Sequence, residues 1–327
     1  MVLLREYEIM LILSNLKKNE ILKVAQGLMD GALVGIPTET VYGLAADAEN
    51  EAAVARIYSV KGRPQDHPVI VHIGSLDYLT KWAINIPDYA LKLAKEYWPG
   101  PMTLILERSD RAKNFITGDQ NTVGLRVPAH LTTLAFLEEF HKLGGNGIAA
   151  PSANRFGAVS PTNAEAVQSE LGEFLDASQD LIIDGGQSLV GVESTIIDCT
   201  SKFPIILRPG AITEEMITAT TGLNTKLNNH PTIRVSGSLD QHYSPRAKIS
   251  LGGNVSIGDG FIALNIIDTP EGAVRLASPK TLEDFARTLY AALREGDKRG
   301  LNRIVVTPPD GDGLAIAIRD RLTRAAR

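Results

Sequence analysis

The chain has 327 residues, 44% of them hydrophobic, with 33 Lys plus Arg against 38 Asp plus Glu and a net charge of -5. That length exceeds a typical single domain, the apolar content excludes wholesale disorder, and the acidic balance argues against a protein that coats nucleic acid. A single cysteine, Cys199, excludes an internal disulfide and a cysteine-based zinc cluster, and suits a reducing cytoplasm.

At the N-terminus, "MVLLREYEIMLIL" is interrupted by Arg5, Glu6 and Glu8 and is followed by no small-residue cleavage site. It predicts a strand near residues 7–13 rather than a signal peptide, and no run approaches a membrane span. "KKNEILKVAQGLMDGA" then places Ile21, Leu22, Ala25, Leu28 and Met29 at helical spacing until Gly31, and "LVGIP" gives a short strand stopped by Pro37. Further strands are expected in "VIVHI", "MTLILE", "TVGLRVP", "GIAAP", "LIIDGG", "STIIDC" and "PIILRPG", with helical patterns at 50–59, 87–97, 131–142 and 163–171. Strands interleaved with helices in this way predict one α/β domain, over residues 1–215, around a large twisted sheet.

From about residue 213 the sequence turns polar and rich in Thr and Asn, which predicts a linker over 216–248. Beyond it, "FIALNI" and "RIVVTPP" read as strands. "TLEDFARTLYAALREG" carries Leu282, Phe285, Leu289 and Leu293 on one helical face, and a last helix follows. These elements predict a small second α/β domain over 249–327.

Several strands end in turns that carry hydroxyls, an amide or a cation. After "LVGI" come Thr38, Thr40 and Tyr42; "VIV" is followed by His72; Arg126 sits in "TVGLRVP". "PSANRFGAVSPT" holds Ser152, Asn154 and Ser160, "VESTIID" holds Ser194 and Thr195, and "PIILRPG" holds Arg208. The loop "VKGRPQDHP" gathers Lys61, Arg63 and His67 between prolines. Such groups suit a phosphate or carboxylate, and in open α/β sheets ligands gather at the carboxyl ends of strands. Each element also has a plainer explanation: "PTET" and "PSAN" as helix caps or turns, the cationic loop as a solvated turn, His72 and Cys199 as core residues. The chain lacks a Walker P-loop, a complete dinucleotide fingerprint ("DGDGLAI" has Ile316 in the last position), G-x-S-x-G and H-E-x-x-H. With no obvious nucleophile, an enzyme built this way would act by positioning and charge stabilisation, as nucleotidyl transfer does.

Taken together, "GIPTETVYGLAADA", "KGRP", "VIVHI", "WPGPMTLIL", "VGLRVPAH", "APSANRFGAVSPT", "DGG", "GVESTIID" and "LRPGAIT", in this order, resemble the YrdC-like family of threonylcarbamoyl-AMP synthases. The match runs from about residue 17 to 215. "HYSP" and the small domain after it resemble the two-domain branch, with a C-terminal Rossmann-like domain. The resemblance implies a large cavity on a twisted mixed sheet and a cytoplasmic nucleotidyltransferase. It would use L-threonine, bicarbonate or CO2, and ATP, with Mg²⁺ accompanying the nucleotide. A partner tRNA threonylcarbamoyl transferase would take the product, and tRNA itself would bind weakly at most.

By the same resemblance Lys61, Arg63, Ser152 and Asn154 form the catalytic hallmark. Thr40, His72, Arg126, Ala150 and Ser194 would contact threonine, and Arg63, His67, Thr122, Ser152, Ser160, Arg208 and Tyr243 would contact ATP. Two departures stand out: His67 occupies a position where the family pattern has Asn, and only "LGGNVSIGDG" separates the first two strands of the second domain. Two other functions compete. One is a carbamoyl-adenylate enzyme using carbamoyl phosphate, although such proteins carry paired-cysteine zinc motifs absent here; the other is a non-catalytic RNA-binding module.

Overall fold

The computed structural model describes residues 18–228, 233–237 and 242–327. The strand expected near 7–13 lies outside the described residues. The first ten strands are β1 (Val34–Ile36), β2 (Gly43–Asp47), β3 (Ile70–His72), β4 (Met102–Glu107), β5 (Thr122–Arg126), β6 (Ile148–Ala149), β7 (Leu181–Ile182), β8 (Thr195–Asp198), β9 (Ile205–Arg208) and β10 (Lys226–Leu227). They form one mixed sheet in the order β10-β9-β8-β4-β5-β3-β6-β2-β1-β7. β2 was not foreseen from the sequence, since "GLAAD" is too rich in small residues to read as a strand.

Strand alternation divides the sheet into two faces. Val71 pairs with Leu125 and Leu125 with Leu104, and all three are buried in the main core with Leu44, Val54, Ile57 and Trp82. Burying each such side chain stabilises the fold by about 1.5–3 kcal/mol. His72, Arg126 and Thr103 are one residue out of phase with that row and so lie on the opposite face. His72 pairs with Arg126, Thr103 with Ile196, and Ile196 with Arg208, which carries polar groups across the sheet at one level.

Capping fixes the helices that carry the motifs. Asn50 accepts from the Ala53 amide at 3.1 Å and starts helix Glu51–Lys61; Gly62, at φ 62°, ends it. The helix thus runs past the expected residue 59, and Lys61 sits on its last turn rather than in a loop.

A second correction concerns the linker. Thr213 caps helix Glu214–Thr221, and β10 pairs with β9, so residues 214–228 extend the first unit. Tyr97 fastens that helix by donating to the Met216 carbonyl at 3.0 Å.

The second unit holds β11 (Lys248–Leu251), β12 (Gly260–Ile262), β13 (Val274–Ala277) and β14 (Arg303–Val306), all parallel, in the order β11-β14-β12-β13. Helices Leu282–Lys298 and Leu314–Ala325 pack on it, the first capped by Thr281. Phe285, Leu289, Leu293 and Ile318 share one apolar cluster with Val41, Val159 and Val192 of the first unit. Gly191, at φ 82°, permits this contact: a Cβ there would stand 2.3 Å from the Arg287 Cα.

Candidate active site

The polar face of the large sheet floors a largely filled, partly open cavity. The expectation that ligands would gather at the carboxyl ends of strands needs revision, because this sheet is mixed. Antiparallel pairing sets the beginning of β8 beside the end of β9, so Ser194 and Arg208 meet although one precedes its strand and the other finishes it. The cavity therefore crosses the sheet's face.

At one end lies Arg126, 4% exposed. Its Nη2 is 2.7 Å from Glu39 Oε1, and its Nε donates to the Gly100 carbonyl at 3.2 Å. Among the described residues only Nε hydrogen-bonds to protein, the Glu39 contact being an ion pair without hydrogen-bond geometry, so both terminal nitrogens keep donors for a carboxylate. Glu39 also accepts from the Ala129 amide at 2.9 Å through Oε2. Burial, assisted by Arg126, lowers the His72 pKa to about 3, so its ring is neutral near pH 7. Thr40 faces the Thr38 hydroxyl at 2.9 Å, and Ser194 faces Thr103 at 2.8 Å. "PTET" caps no helix: Thr38 donates to the Val41 carbonyl and shapes a turn.

At the other end are Arg63 and Arg208. Arg208 donates from Nε to the Ser194 carbonyl (3.0 Å), from Nη2 to the Ser194 hydroxyl (3.1 Å) and from Nη1 to the Ser236 carbonyl (2.8 Å). Arg63 donates to the Pro68 carbonyl (2.8 Å) and the Ser236 hydroxyl (3.3 Å), and burial pulls its pKa down to about 10. Lys61 donates to the Ser152 and Asn154 carbonyls, which joins the two halves of the hallmark through backbone. Burial first, and then the positive charges of Arg63 and Arg155, hold the Lys61 pKa well below its ordinary value. Asn154 is fixed by donating to the Arg155 and Ala158 carbonyls. Among the described residues, none of Lys61, Arg63 and Arg208 has a carboxylate within ion-pair distance.

Thr40, Arg63, His72, Arg126, Ala150, Ser152, Ser194, Arg208 and Tyr243 all line this cavity. Lys61 and Asn154 support it from behind, and Ser160 donates to Glu193, itself part of the wall, at 2.6 Å. Two expected residues stand elsewhere. His67 packs edge-on against Phe156 at 5.3 Å, and Thr122 borders a smaller hollow with Gln120 and Val235. Sequence reasoning missed Glu39, Glu193, Ser236, Gly237 and His242. Gly237 had a legible reason to be glycine only in three dimensions: a Cβ there would meet the Tyr243 hydroxyl at 2.4 Å. Cys199 is buried core, as the plainer explanation held.

Buried cations lacking carboxylate partners, a half-free arginine fork and a twisted mixed sheet beneath them define an anion-handling site of the nucleotidyltransferase kind. Comparison with known proteins agrees. The Sua5/YciO/YrdC family profile, described as telomere recombination, matches residues 26–210, and the threonylcarbamoyl-AMP synthase C-terminal domain matches 212–327. The chain is 37% identical to the threonylcarbamoyl-AMP synthase of Pyrococcus abyssi, covering 93% of this chain and 94% of that one. It is 36% identical to the Bacillus subtilis enzyme of the same name, over 94% and 93%. The crystal structure of P. abyssi Sua5 complexed with L-threonine superposes with a TM-score of 0.85 at 35% identity, covering 95% of both chains. The chain belongs to the threonylcarbamoyl-AMP synthase family, in its two-domain form.

Proposed function

We propose that the chain condenses L-threonine, bicarbonate or CO2, and ATP into L-threonylcarbamoyl-AMP, releasing pyrophosphate. One observation carries this: Arg63 and Arg208 line one end of the cavity with Lys61 buried behind them, none ion-paired with a carboxylate among the described residues, while Arg126 has terminal nitrogens to offer at the other end. Buried charge left unneutralised by protein calls for an anionic ligand. A triphosphate carries about four negative charges near neutral pH, which Arg63, Arg208 and a nucleotide-borne Mg²⁺ would offset. The magnesium would arrive as part of the nucleotide substrate.

In this scheme Arg126 binds the threonine carboxylate, and neutral His72 and Thr40 line the amino-acid end. The neutral threonine amine adds to CO2 and gives up one proton to solvent, leaving a carbamate. A carbamate oxygen attacks the α-phosphorus of ATP, and the α–β bridging oxygen leaves with pyrophosphate. Arg63 and Arg208 stabilise the charge that builds there. Tyr243, whose pKa burial raises to about 12, stays protonated over the nucleotide. The adenylate then passes to a cytoplasmic tRNA threonylcarbamoyl transferase, and tRNA needs no more than weak contact with this chain.

The test is pyrophosphate release with ATP, bicarbonate and each amino acid in turn. Threonine should lead; serine, lacking a methyl, should trail by about 1–3 kcal/mol; valine, lacking the hydroxyl, should fail. Equal turnover of all three would sink the assignment.

A further inference from the structure

The second unit reaches the cavity through a charged side chain. Arg321, on helix Leu314–Ala325, is fully buried and donates from Nε to Glu193 Oε2 at 2.7 Å and from Nη2 to the Pro209 carbonyl at 2.9 Å. Glu193 is a carboxylate in the wall of an otherwise cationic cavity. Its other contacts are the Ser160 hydroxyl at 2.6 Å and the Tyr290 hydroxyl at 3.0 Å. Left without Arg321, that carboxylate would repel a phosphate chain and draw Arg208 toward itself. With Arg321 in place, Arg208 keeps its three donors on Ser194 and Ser236 and forms no ion pair with Glu193.

A second observation comes from Tyr243. Its ring lies 5.4 Å from the Arg321 guanidinium and stacks on Tyr290 at 5.6 Å. Its hydroxyl is buried without a hydrogen-bond partner among the described residues, although Tyr243 lines the cavity. A buried orphan hydroxyl is costly unless a ligand completes it. Its backbone, at φ 62°, is in the left-handed region that bulky residues avoid, so its surroundings must hold it there. Two of those surroundings, Tyr290 and Arg321, belong to the second unit.

We infer that Arg321 is a positioning residue for the nucleotide end: it takes up the charge of Glu193, leaves Arg208 free for phosphate, and so makes anion affinity depend on the seated second domain. Naming the anion as ATP rests on the function proposed above. Glu193 is a positioning residue in the same device, and neither side chain need touch the reacting atoms.

The test uses the full chain and titrates ATP, tripolyphosphate, adenosine and L-threonine into wild type, Arg321→Met, Arg321→Lys, Glu193→Gln and the Arg321→Met/Glu193→Gln pair, with melting temperatures alongside. Arg321→Met should weaken ATP and tripolyphosphate at least 30-fold, and adenosine and threonine less than threefold. The paired variant should recover ATP affinity to within fivefold, because the stray carboxylate in the cavity wall is gone and Asp320, the other carboxylate on Arg321, keeps its ion pair with Arg324. Arg321→Lys should lose less than Arg321→Met. Equal losses for ATP and adenosine, or no recovery in a normally melting pair, would overturn the inference. If Arg321→Met does not fold, Glu193→Gln decides: ATP affinity rising about threefold supports the inference, and a fall at unchanged melting temperature refutes it. Should wild type bind tripolyphosphate but not ATP, the nucleotide assignment fails while the dependence on Arg321 is still read from tripolyphosphate.

Discussion

The two ends of the cavity are built differently. The Arg126 end is supplied by the large sheet and its adjoining turns: Glu39, Gly100, His72 and Thr103 all lie within the first unit, and its cation is already paired at 2.7 Å. The Arg63–Arg208 end is assembled from distant segments, with Ser236 and Tyr243 from the connection and Arg321 from the last helix. One end is preorganised by its own strand neighbours, the other by the docking of a second domain. The comparison teaches that a single cavity can give its two substrates separate structural guarantees.

The strongest way to break that comparison is at Arg126. Arg126→Ala leaves Glu39 buried and unpaired, a loss of about 3–5 kcal/mol in stability, and should cut threonine affinity by at least 100-fold. Arg126→Lys keeps a charge against Glu39 but removes the fork. It should recover most of the melting temperature while threonine affinity stays about 10- to 150-fold low. ATP affinity should move less than threefold in Arg126→Lys, as calorimetry would show; a matched loss of ATP would mean that the two ends are not independent.

The complementary break is at the other end. Lys61→Ala and Arg63→Ala should each weaken ATP by at least about tenfold, or 1.4 kcal/mol, with threonine binding unchanged. Unaltered nucleotide kinetics in both variants would return these cations to a purely structural role.

At neutral pH the smallest effect is acid sensitivity, which develops only below about pH 6.5 and to which each end contributes one histidine. Burial is the main cause holding His72 and His242 at about 3, against an ordinary value of 6.5. Below pH 6.5 the unfolded chain therefore binds protons that the folded chain refuses. The stability contributed by each neutral ring is complete above about 6.5 and is lost as pH falls toward 3. The slope is at most about 1.4 kcal/mol per pH unit per histidine. Urea midpoints measured from pH 7 to 4 should fall less steeply in His72→Gln and in His242→Gln than in wild type. Parallel curves would show that neither ring is buried in solution.

Much of the first unit was legible because its signals are local. Apolar strands ending in hydroxyls and arginines foretold most of the cavity wall, since such groups rarely sit idle beside buried strands. What escaped depended on distance in the chain. Glu39 and Glu193 stand inside motifs that were quoted for their threonines and serines, yet nothing local shows that each carboxylate neutralises an arginine. Arg321 had a signal: with Ile318, Leu322 and Ala325 it falls on the apolar stripe of its helix, where a charge must find a partner. The helix 214–221 also announced itself, with Thr213 before it, Glu214 and Glu215 in its first turn and Gly222 after it. Three threonines within it concealed those signals, because β-branched residues lower helix propensity.

The contact between Glu193 and Arg321 spans 128 positions of sequence. A ribosome adding about 5–20 residues per second makes the carboxylate roughly 6–25 seconds before its arginine. Through that interval the growing chain can form the large sheet and the Arg126 end, while the opposite end still faces an uncompensated negative charge. Phosphate affinity would then appear late in synthesis, with the last helix, so that an incomplete chain carries an amino-acid pocket but not a competent nucleotide one.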